Sequence, residues 1–230
     1  MKALILAAGK GTRMMPLTKH KPKCLIEVNG KPFLHYVLES LDKAGIEDIY
    51  MVVGEKMSMV EEFVEEFSDD VKLIIQEERL GTGHAVLQAK EHIDDNFLIL
   101  MADNLYSPED ILKMMKYDEF TYVAGYPSDH PQDYGVLIPK NGFLKEIIEK
   151  PKKPPSNLVN VGLYKATPEI FNYLEKVEKS PRGEYELTDA ITMLCDQDKV
   201  KHIKLDKYWI DMSIKEQLPE ISKKVKELGL

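Results

Sequence analysis

The chain has 230 residues, of which 43% are hydrophobic and 30% are charged, and its formal net charge at pH 7 is −8. This composition fits a globular protein with a substantial core, built as one large α/β domain or two small ones. The acidic balance disfavours nucleic acid and acidic membranes as partners, and no apolar run approaches the ~20 residues that span a bilayer. Two distant cysteines, Cys24 and Cys195, suggest neither a disulfide framework nor a metal cluster, so we expect a reduced, cytoplasmic setting.

The opening of the chain holds its most informative pattern. An apolar run from Ala3 to Ala8 leads directly into a glycine-bearing loop from Gly9 to Arg13. A buried strand that ends in glycines exposes backbone N–H groups at the carboxyl edge of a sheet, where they can surround an anion. Arg13 and Lys23 add side-chain charge. The pattern predicts a triphosphate-binding loop, and Met14 at the third glycine position disfavours a dinucleotide-dependent oxidoreductase.

Strands and helices are then predicted to alternate. Apolar residues at helical spacing follow Pro32 and end at Gly45, and a buried strand is expected over Ile49–Val53. A second amphipathic helix over residues 59–67 precedes a strand over Val71–Ile75.

Gln76 ends that strand, and glycines at 81 and 83 follow it. A glutamine at a strand end offers a donor and an acceptor, which can match the alternating donor and acceptor of a pyrimidine imide. Thr82 is expected to cap the next helix. His84 is interpreted as a histidine on a helix face rather than as a ligand or a base.

The most apolar run, Phe97 to Ala102, ends in Asp103. A carboxylate at the tip of a buried strand is costly without a partner, and Mg²⁺ favours one or two carboxylates together with phosphate oxygens. An alternative is that Asp103 only caps the turn into Ser107, which itself begins a helix.

The second half of the chain predicts further strands over 120–126, 144–149, around Asn160–Gly162 and over 201–205, the last one running on to Asp211. Gly162 inside a strand suggests close approach by another group. Ser213 with Glu216 forms a capping box, and an apolar stripe over 214–228 predicts a terminal helix that Pro219 breaks or restarts.

The stretch LAAGKGTRMMPLTKHKPKCLIEVNGKP resembles the signature of the sugar-phosphate nucleotidylyltransferases, with Met14 in place of the usual leucine. The resemblance implies an enzyme that joins a nucleoside triphosphate to a sugar 1-phosphate and releases pyrophosphate. It also implies an α/β fold, Rossmann-like and three-layered (α/β/α), with a mixed, mostly parallel central sheet of the GT-A-like type. We expect one domain over 1–230: a nucleotide-binding part (about 1–125), a sugar-phosphate-binding part (about 126–212) and a helix (213–230), without a C-terminal β-helix.

The resemblance assigns roles residue by residue. The nucleotide-binding residues would be Leu6, Ala8, Gly9, Gly11, Thr12, Arg13, Gln76, Gly81 and Thr82. The sugar phosphate would contact Asn104, Gly135, Glu149, Lys150 and Asn160. Arg13, Lys23 and Lys150 would be catalytic, and Asp103 and Asp211 would bind Mg²⁺. Two departures are visible: Ala102 replaces a glycine before Asp103, and Ser-Ile-Lys replaces Gly-Thr-Pro at 213–215.

The substrates implied are UTP or dTTP and a sugar 1-phosphate, with the base, the sugar and a homo-oligomeric state left open. The loop LGTGHA resembles that of relatives that use UTP. One alternative is a CTP-dependent cytidylyltransferase acting on phosphocholine or a similar phosphorylated alcohol. Another is a catalytically inactive nucleotide-sensing domain, although both aspartates and both lysines are present.

Overall fold

The computed structural model describes residues 1–55, 57–67 and 71–230. The strands are β1 (Lys2–Leu6), β2 (Glu27–Val28), β3 (Lys31–Pro32), β4 (Ile49–Val53), β5 (Val71–Ile75), β6 (Phe97–Met101), β7 (Asn104–Tyr106), β8 (Thr121–Pro127), β9 (Gly135–Lys140), β10 (Phe143–Glu149), β11 (Leu158–Ala166), β12 (Val200–Lys204) and β13 (Trp209–Asp211). The α-helices are α1 (Phe33–Lys43), α2 (Met57–Phe67), α3 (Thr82–Leu87), α4 (Pro108–Met114), α5 (Ile170–Leu174), α6 (Leu187–Cys195) and α7 (Leu218–Glu227). None of the helices in the described chain is long and apolar enough to cross a bilayer.

The large sheet is mixed. Its first half runs in the order β5-β4-β1-β6 with every neighbour parallel. In the second half β11 pairs antiparallel with β6, β8 and β9, while β10 extends β9 and β12 extends β8. The predicted α/β fold with a mixed sheet is therefore confirmed, and the change of direction at β11 divides the sheet into two parts.

The central strand β1 shows how the three layers form. Ala3 and Ile5 face one hydrophobic cluster, which includes residues of α1, α2, α4 and α7. Leu4 and Leu6 face the other, which includes residues of α3, α5 and α6. Strand side chains alternate between the two faces of a sheet, so a nearly continuous apolar strand indicates helices on both faces.

Several predicted element boundaries agree with the structure. Gly45 follows α1 with φ +74°, and Ser107 accepts a hydrogen bond from the Asp110 backbone N–H at the start of α4. Pro219 lies in the first turn of α7, so the terminal helix restarts there.

Three local predictions are wrong. Trp209–Asp211 does not continue β12 but forms a separate antiparallel ribbon with β7. Thr82 begins α3 without capping it, because its hydroxyl accepts a hydrogen bond from the Leu187 backbone N–H instead. Ser213 is not a helix cap either, since its hydroxyl donates to Asp211.

Candidate active site

The loop after β1 lies at the carboxyl edge of the parallel half of the sheet. Gly11 adopts φ +62°, in the left-handed region that glycine tolerates best. A Cβ placed on it would lie 3.0 Å from Thr18 Cγ2 and 3.2 Å from Lys23 Cβ. The Thr18 hydroxyl donates to the Gly11 carbonyl over 2.8 Å. These contacts hold the loop closely against the segment that carries Lys23.

A cavity of about 410 Å³ opens at this edge. It is lined by Leu6, Ala7, Ala8, Gly9, Lys10, Gly11, Thr12, Arg13, Lys23, Cys24, Gln76, Arg79, Gly81, Thr82, Ala85, Met101, Ala102, Asp103, Glu184 and Ser213. All the residues predicted to bind the nucleotide lie in this lining. Lys10, Arg79 and Glu184 were missed, because charged loop residues carry no spacing signal that separates them from an ordinary solvated surface.

The two predicted metal ligands are brought together by the ribbon of β7 and β13. Asp211 pairs with Asn104 across the ribbon, and the Met212 backbone N–H donates to the Asp103 carbonyl over 2.9 Å. The main chain of Asp103 is therefore hydrogen-bonded to the residue after Asp211, which holds the two aspartates on neighbouring strands of the ribbon.

Asp103 has one partner for each carboxylate oxygen. Lys23 Nζ lies 2.5 Å from Oδ2, and Asn104 Nδ2 donates to Oδ1 over 2.9 Å. Trp209 Nε1 in turn donates to Asn104 Oδ1 over 2.6 Å. These hydrogen bonds fix the orientation of the Asp103 carboxylate. They also place Asn104 beside it, with the amide oxygen of Asn104 already bound by the Trp209 indole.

Asp211 is largely enclosed. Burial raises the pKa of its carboxyl and the charge of Asp103 raises it further, while Ser213, Lys23 and Arg13 act in the opposite direction. Tyr134 packs on the same carboxylate, and burial together with the negative charge of Asp211 raises the pKa of the Tyr134 hydroxyl to about 12. Two carboxylates thus lie within electrostatic reach of each other in partly desolvated surroundings.

This donor set fits Mg²⁺. The described residues contain no group of three or more histidine, cysteine, aspartate or glutamate side chains able to enclose a metal ion. Mg²⁺ is usually held by one or two carboxylates and keeps its remaining positions for water and substrate phosphate. The mutual repulsion of Asp103 and Asp211 gives a divalent cation a favourable place between a glycine-lined anion site and the sheet edge.

Gln76 is almost fully buried at the cavity wall, with 3% of its surface exposed. Its amide nitrogen lies 3.2 Å from the Gly81 carbonyl oxygen and 2.9 Å from His84 Nδ1. The sequence suggested that both the nitrogen and the oxygen of the side-chain amide could form hydrogen bonds with a base. In the structure the nitrogen is engaged by the protein, so only the oxygen remains available.

The loop that carries Gly81 is clamped by a segment to which the sequence assigned no role. Gly83 N–H donates to the Tyr185 carbonyl over 2.8 Å, and Tyr185 N–H donates to the Leu80 carbonyl over 2.7 Å. A Cβ on Gly81 would lie 2.5 Å from Tyr185 O. The two glycines signalled close approach, but nothing in the sequence identified the partner.

Four of the five predicted sugar-binding residues, Gly135, Glu149, Lys150 and Asn160, gather where β9, β10 and β11 adjoin, while Asn104 lies on β7 beside Asp103. A Cβ on Gly135 would lie 3.1 Å from Glu149 Oε2 and 3.7 Å from Asn160 Cβ. Lys150 donates its backbone N–H to the Tyr134 carbonyl over 3.0 Å and is exposed. None of these four residues lines the 410 Å³ cavity, so their contact with a sugar phosphate stays a prediction.

Gly162 follows a bulge in β11, with φ +75°. A Cβ there would lie 3.0 Å from Met101 Cγ, and its N–H donates to Asn160 Oδ1 over 3.1 Å. The predicted close approach is therefore that of Met101, which lines the cavity from the next strand.

Known proteins share this sequence and fold. The sequence model of the nucleotidyl transferase family matches residues 2–227. The "Bifunctional protein GlmU" of Methanococcus maripaludis is 42% identical over 92% of this chain and 51% of its own length. The "UTP--glucose-1-phosphate uridylyltransferase AglF" of Haloferax volcanii is 36% identical over 99% of this chain and 97% of its own length. A solved UDP-glucose pyrophosphorylase complexed with UDP-glucose superposes with a TM-score of 0.87 at 26% identity, covering 99% and 98% of the two chains.

The chain spans about half the length of the GlmU relatives that it matches. The family match covers nearly the whole chain, and the glycine loop, Lys23 and both aspartates lie together at one sheet edge. The chain therefore belongs to the nucleotidyl transferase family.

Proposed function

We propose that this protein joins UTP or dTTP to glucose 1-phosphate or N-acetylglucosamine 1-phosphate, giving a nucleotide-sugar and pyrophosphate in a Mg²⁺-dependent reaction in the cytoplasm. The observation that carries the proposal is that Lys23 and Asp103 line the cavity beside the glycine loop, with Asp211 within electrostatic reach of both. The names of AglF and of the UDP-glucose pyrophosphorylase structure support the substrate class.

The reaction needs positioning and charge neutralisation more than covalent help from the protein. A phosphate oxygen of the sugar 1-phosphate attacks the α-phosphorus in line and pyrophosphate leaves. No general base is required, because the attacking phosphate is already ionised. Lys23 and Lys150 neutralise phosphate charge, while Arg13 and the N–H groups of the glycine loop bind the leaving phosphates.

Asp103 and Asp211 would hold Mg²⁺, and the bound ion would supply charge stabilisation at the α-phosphate. Lys23 is bound to Asp103 in the structure, so it lies where it can meet both the carboxylate and a phosphate.

A second pocket of about 420 Å³ supports the release of pyrophosphate toward the glycine loop. It adjoins the first behind the glycine loop and shares Gly9, Lys10 and Lys23 with it. Its lining includes the cationic residues Lys10, Lys19, Lys21, Lys23 and Arg79. Such a concentration of positive charge in an acidic protein favours a small polyanion.

The test is product analysis. The purified protein is incubated with Mg²⁺, each of UTP, dTTP, CTP, ATP and GTP, and each of glucose 1-phosphate, N-acetylglucosamine 1-phosphate, galactose 1-phosphate and phosphocholine. The products are then identified by mass spectrometry, and the amount of released pyrophosphate is measured. A UDP- or dTDP-sugar formed with equimolar pyrophosphate supports the proposal. CDP-choline as the main product supports the cytidylyltransferase, and binding without any product supports the sensing domain.

A further inference from the structure

The hydrogen bonds of Gln76 define which way its amide faces. The Gly81 carbonyl can only accept a hydrogen bond, so the hydrogen-bearing nitrogen of Gln76 must face it. The same nitrogen lies 2.9 Å from His84 Nδ1. Both of its hydrogens are therefore used inside the protein, and within the described part of the chain no donor meets the amide oxygen. That oxygen is the polar group that Gln76 offers to the cavity.

The shorter of two amide contacts to the His84 ring indicates its tautomer. Nδ1, at 2.9 Å from the Gln76 nitrogen, can accept only when it carries no hydrogen, which puts the ring proton on Nε2. The Nε2 atom lies 3.3 Å from the amide nitrogen of Gln88, just past the end of α3, and that nitrogen donates to the His84 carbonyl over 3.2 Å. The ring is also packed against Tyr185, with the ring centroids 6.4 Å apart.

We propose that His84 is a positioning residue that selects the nucleobase through Gln76. Its Nδ1 holds the Gln76 amide with the oxygen toward the base, so the Gln76 side chain presents an acceptor and no donor to the cavity. The inference rests on the proposed function for its substrate, but the hydrogen-bond relay from Gly81 through Gln76 to His84 exists without any ligand.

With N3 of the base opposite the Gln76 oxygen, a lone acceptor discriminates between pyrimidines. Opposite the 4-position it would instead accept from the amino group of cytosine. Uracil and thymine carry an N–H group at N3, which can donate to the Gln76 oxygen. Cytosine carries an unprotonated acceptor at N3, which would face that oxygen with like partial charge. A buried acceptor left opposite another acceptor loses its hydrogen bond and its hydration together. The relay therefore selects UTP or dTTP against CTP.

The test uses two substitutions that differ only in hydrogen bonding at the Nδ1 position. His84→Asn keeps an acceptor there, because its amide oxygen can take the place of Nδ1, whereas His84→Phe keeps a ring without an acceptor. The exposed His92 lies eight residues further on and stacks on Tyr50, and His92→Asn is the matched control. For each variant, kcat and KM are measured with UTP and with CTP at saturating sugar 1-phosphate.

We expect the ratio of kcat/KM for UTP to that for CTP to fall about tenfold in His84→Phe, mainly through a higher KM for UTP. The ratio should stay within about twofold of the original in His84→Asn and in His92→Asn. An unchanged ratio in a folded His84→Phe protein, or an equal loss in both His84 variants, would overturn the proposal.

The tautomer is measured separately by ¹⁵N chemical shifts of the histidine rings in the protein without ligand. A protonated Nε2 and an unprotonated Nδ1 in His84 support the relay, and the opposite tautomer overturns it. If the wild-type protein forms no nucleotide-sugar with any triphosphate, the proposed function fails. The relay is then judged from this spectrum and from the calorimetric affinity for UTP against CTP in the same variants.

Discussion

Asp103 is the residue at which three parts of the chain meet. Lys23 comes from the segment after the glycine loop, Asn104 from the ribbon, and the backbone of Met212 from the end of β13. The sequence predicted the carboxylate from its place after a buried strand, and that placement is confirmed. It did not predict that Lys23 binds Asp103, because an ion pair between residues 80 positions apart produces no periodic pattern in the sequence.

Replacing Asp103 with asparagine should remove activity while the fold remains. Asparagine keeps the size of the side chain but loses the charge that pairs with Lys23 and attracts Mg²⁺. We expect kcat/KM to fall roughly a hundredfold to a thousandfold. Initial rates of pyrophosphate release, measured over a range of triphosphate concentrations at saturating sugar 1-phosphate, give kcat/KM.

Asp94→Asn is the matched control, since Asp94 is exposed and pairs only with Lys2 in the described structure. Its activity should match that of the unmodified protein, because exposed ion pairs contribute little. Turnover retained in Asp103→Asn would exclude Asp103 from the metal site.

The ribbon of β7 and β13 is the element that builds the site. Each strand has three residues, too few for the alternation of apolar and polar residues to identify a strand and its partner. The sequence analysis therefore predicts one strand from residue 201 to Asp211, although Asp211 lies on β13 and not on β12. The family resemblance, rather than the strand pattern, singled out Asp211, and the structure places it across the ribbon from Asn104.

Trp209→Phe should weaken the site without touching either carboxylate. The indole N–H fixes Asn104, which in turn fixes Asp103, and groups that orient a metal ligand typically contribute a factor of ten to a hundred in affinity. We expect the Mg²⁺ concentration for half-maximal rate to rise by about tenfold.

Tyr126→Phe serves as its control, because Tyr126 packs on the Trp209 ring at 6.0 Å but its hydroxyl donates to the Lys207 carbonyl instead. A Mg²⁺ dependence that shifts equally in both variants would mean that packing, rather than the indole hydrogen bond, maintains the site.

The contact between the Gly81 loop and the Tyr185 segment can be tested with a methyl group. Gly81→Ala places a Cβ 2.5 Å from Tyr185 O and 2.8 Å from Tyr185 N, so one segment must move. Gly142 also has a positive φ, +83° against +109°, but no atom lies within 4 Å of a Cβ placed on it, so Gly142→Ala is the control. Both substitutions incur backbone strain of about 1–3 kcal/mol.

Only Gly81→Ala also incurs the steric clash, so its free energy of unfolding should be lower by a further 1–3 kcal/mol or so. Its KM for the triphosphate should also rise, because the same loop lines the cavity beside Gln76. Equal losses of stability and equal KM values in the two variants would show that the contact with Tyr185 does not shape the cavity.

At the scale of the whole molecule, the sheet has a parallel half that carries the cavity and a mostly antiparallel half that carries four of the five predicted sugar-binding residues. The sequence predicted most strands and helices because their apolar residues follow clear periods, as in α1 and β6. It could not predict the order of the strands, since pairing such as that of β11 with both β6 and β8 depends on contacts between distant segments.

The molecule also holds both cysteines in buried places, Cys24 beside the cavity and Cys195 at the end of α6. Burial raises the pKa of each thiol to about 12. The expected absence of a disulfide framework agrees with their separation into two different hydrophobic clusters.

The most direct measurement is the anomalous scattering of Mn²⁺, used in place of Mg²⁺, in crystals of this protein with UTP. The account predicts one anomalous peak within ligand distance of a carboxylate oxygen of Asp103 and one of Asp211, next to the triphosphate in the glycine loop. A peak bound by only one of the two aspartates, or a triphosphate bound away from that loop, would contradict it.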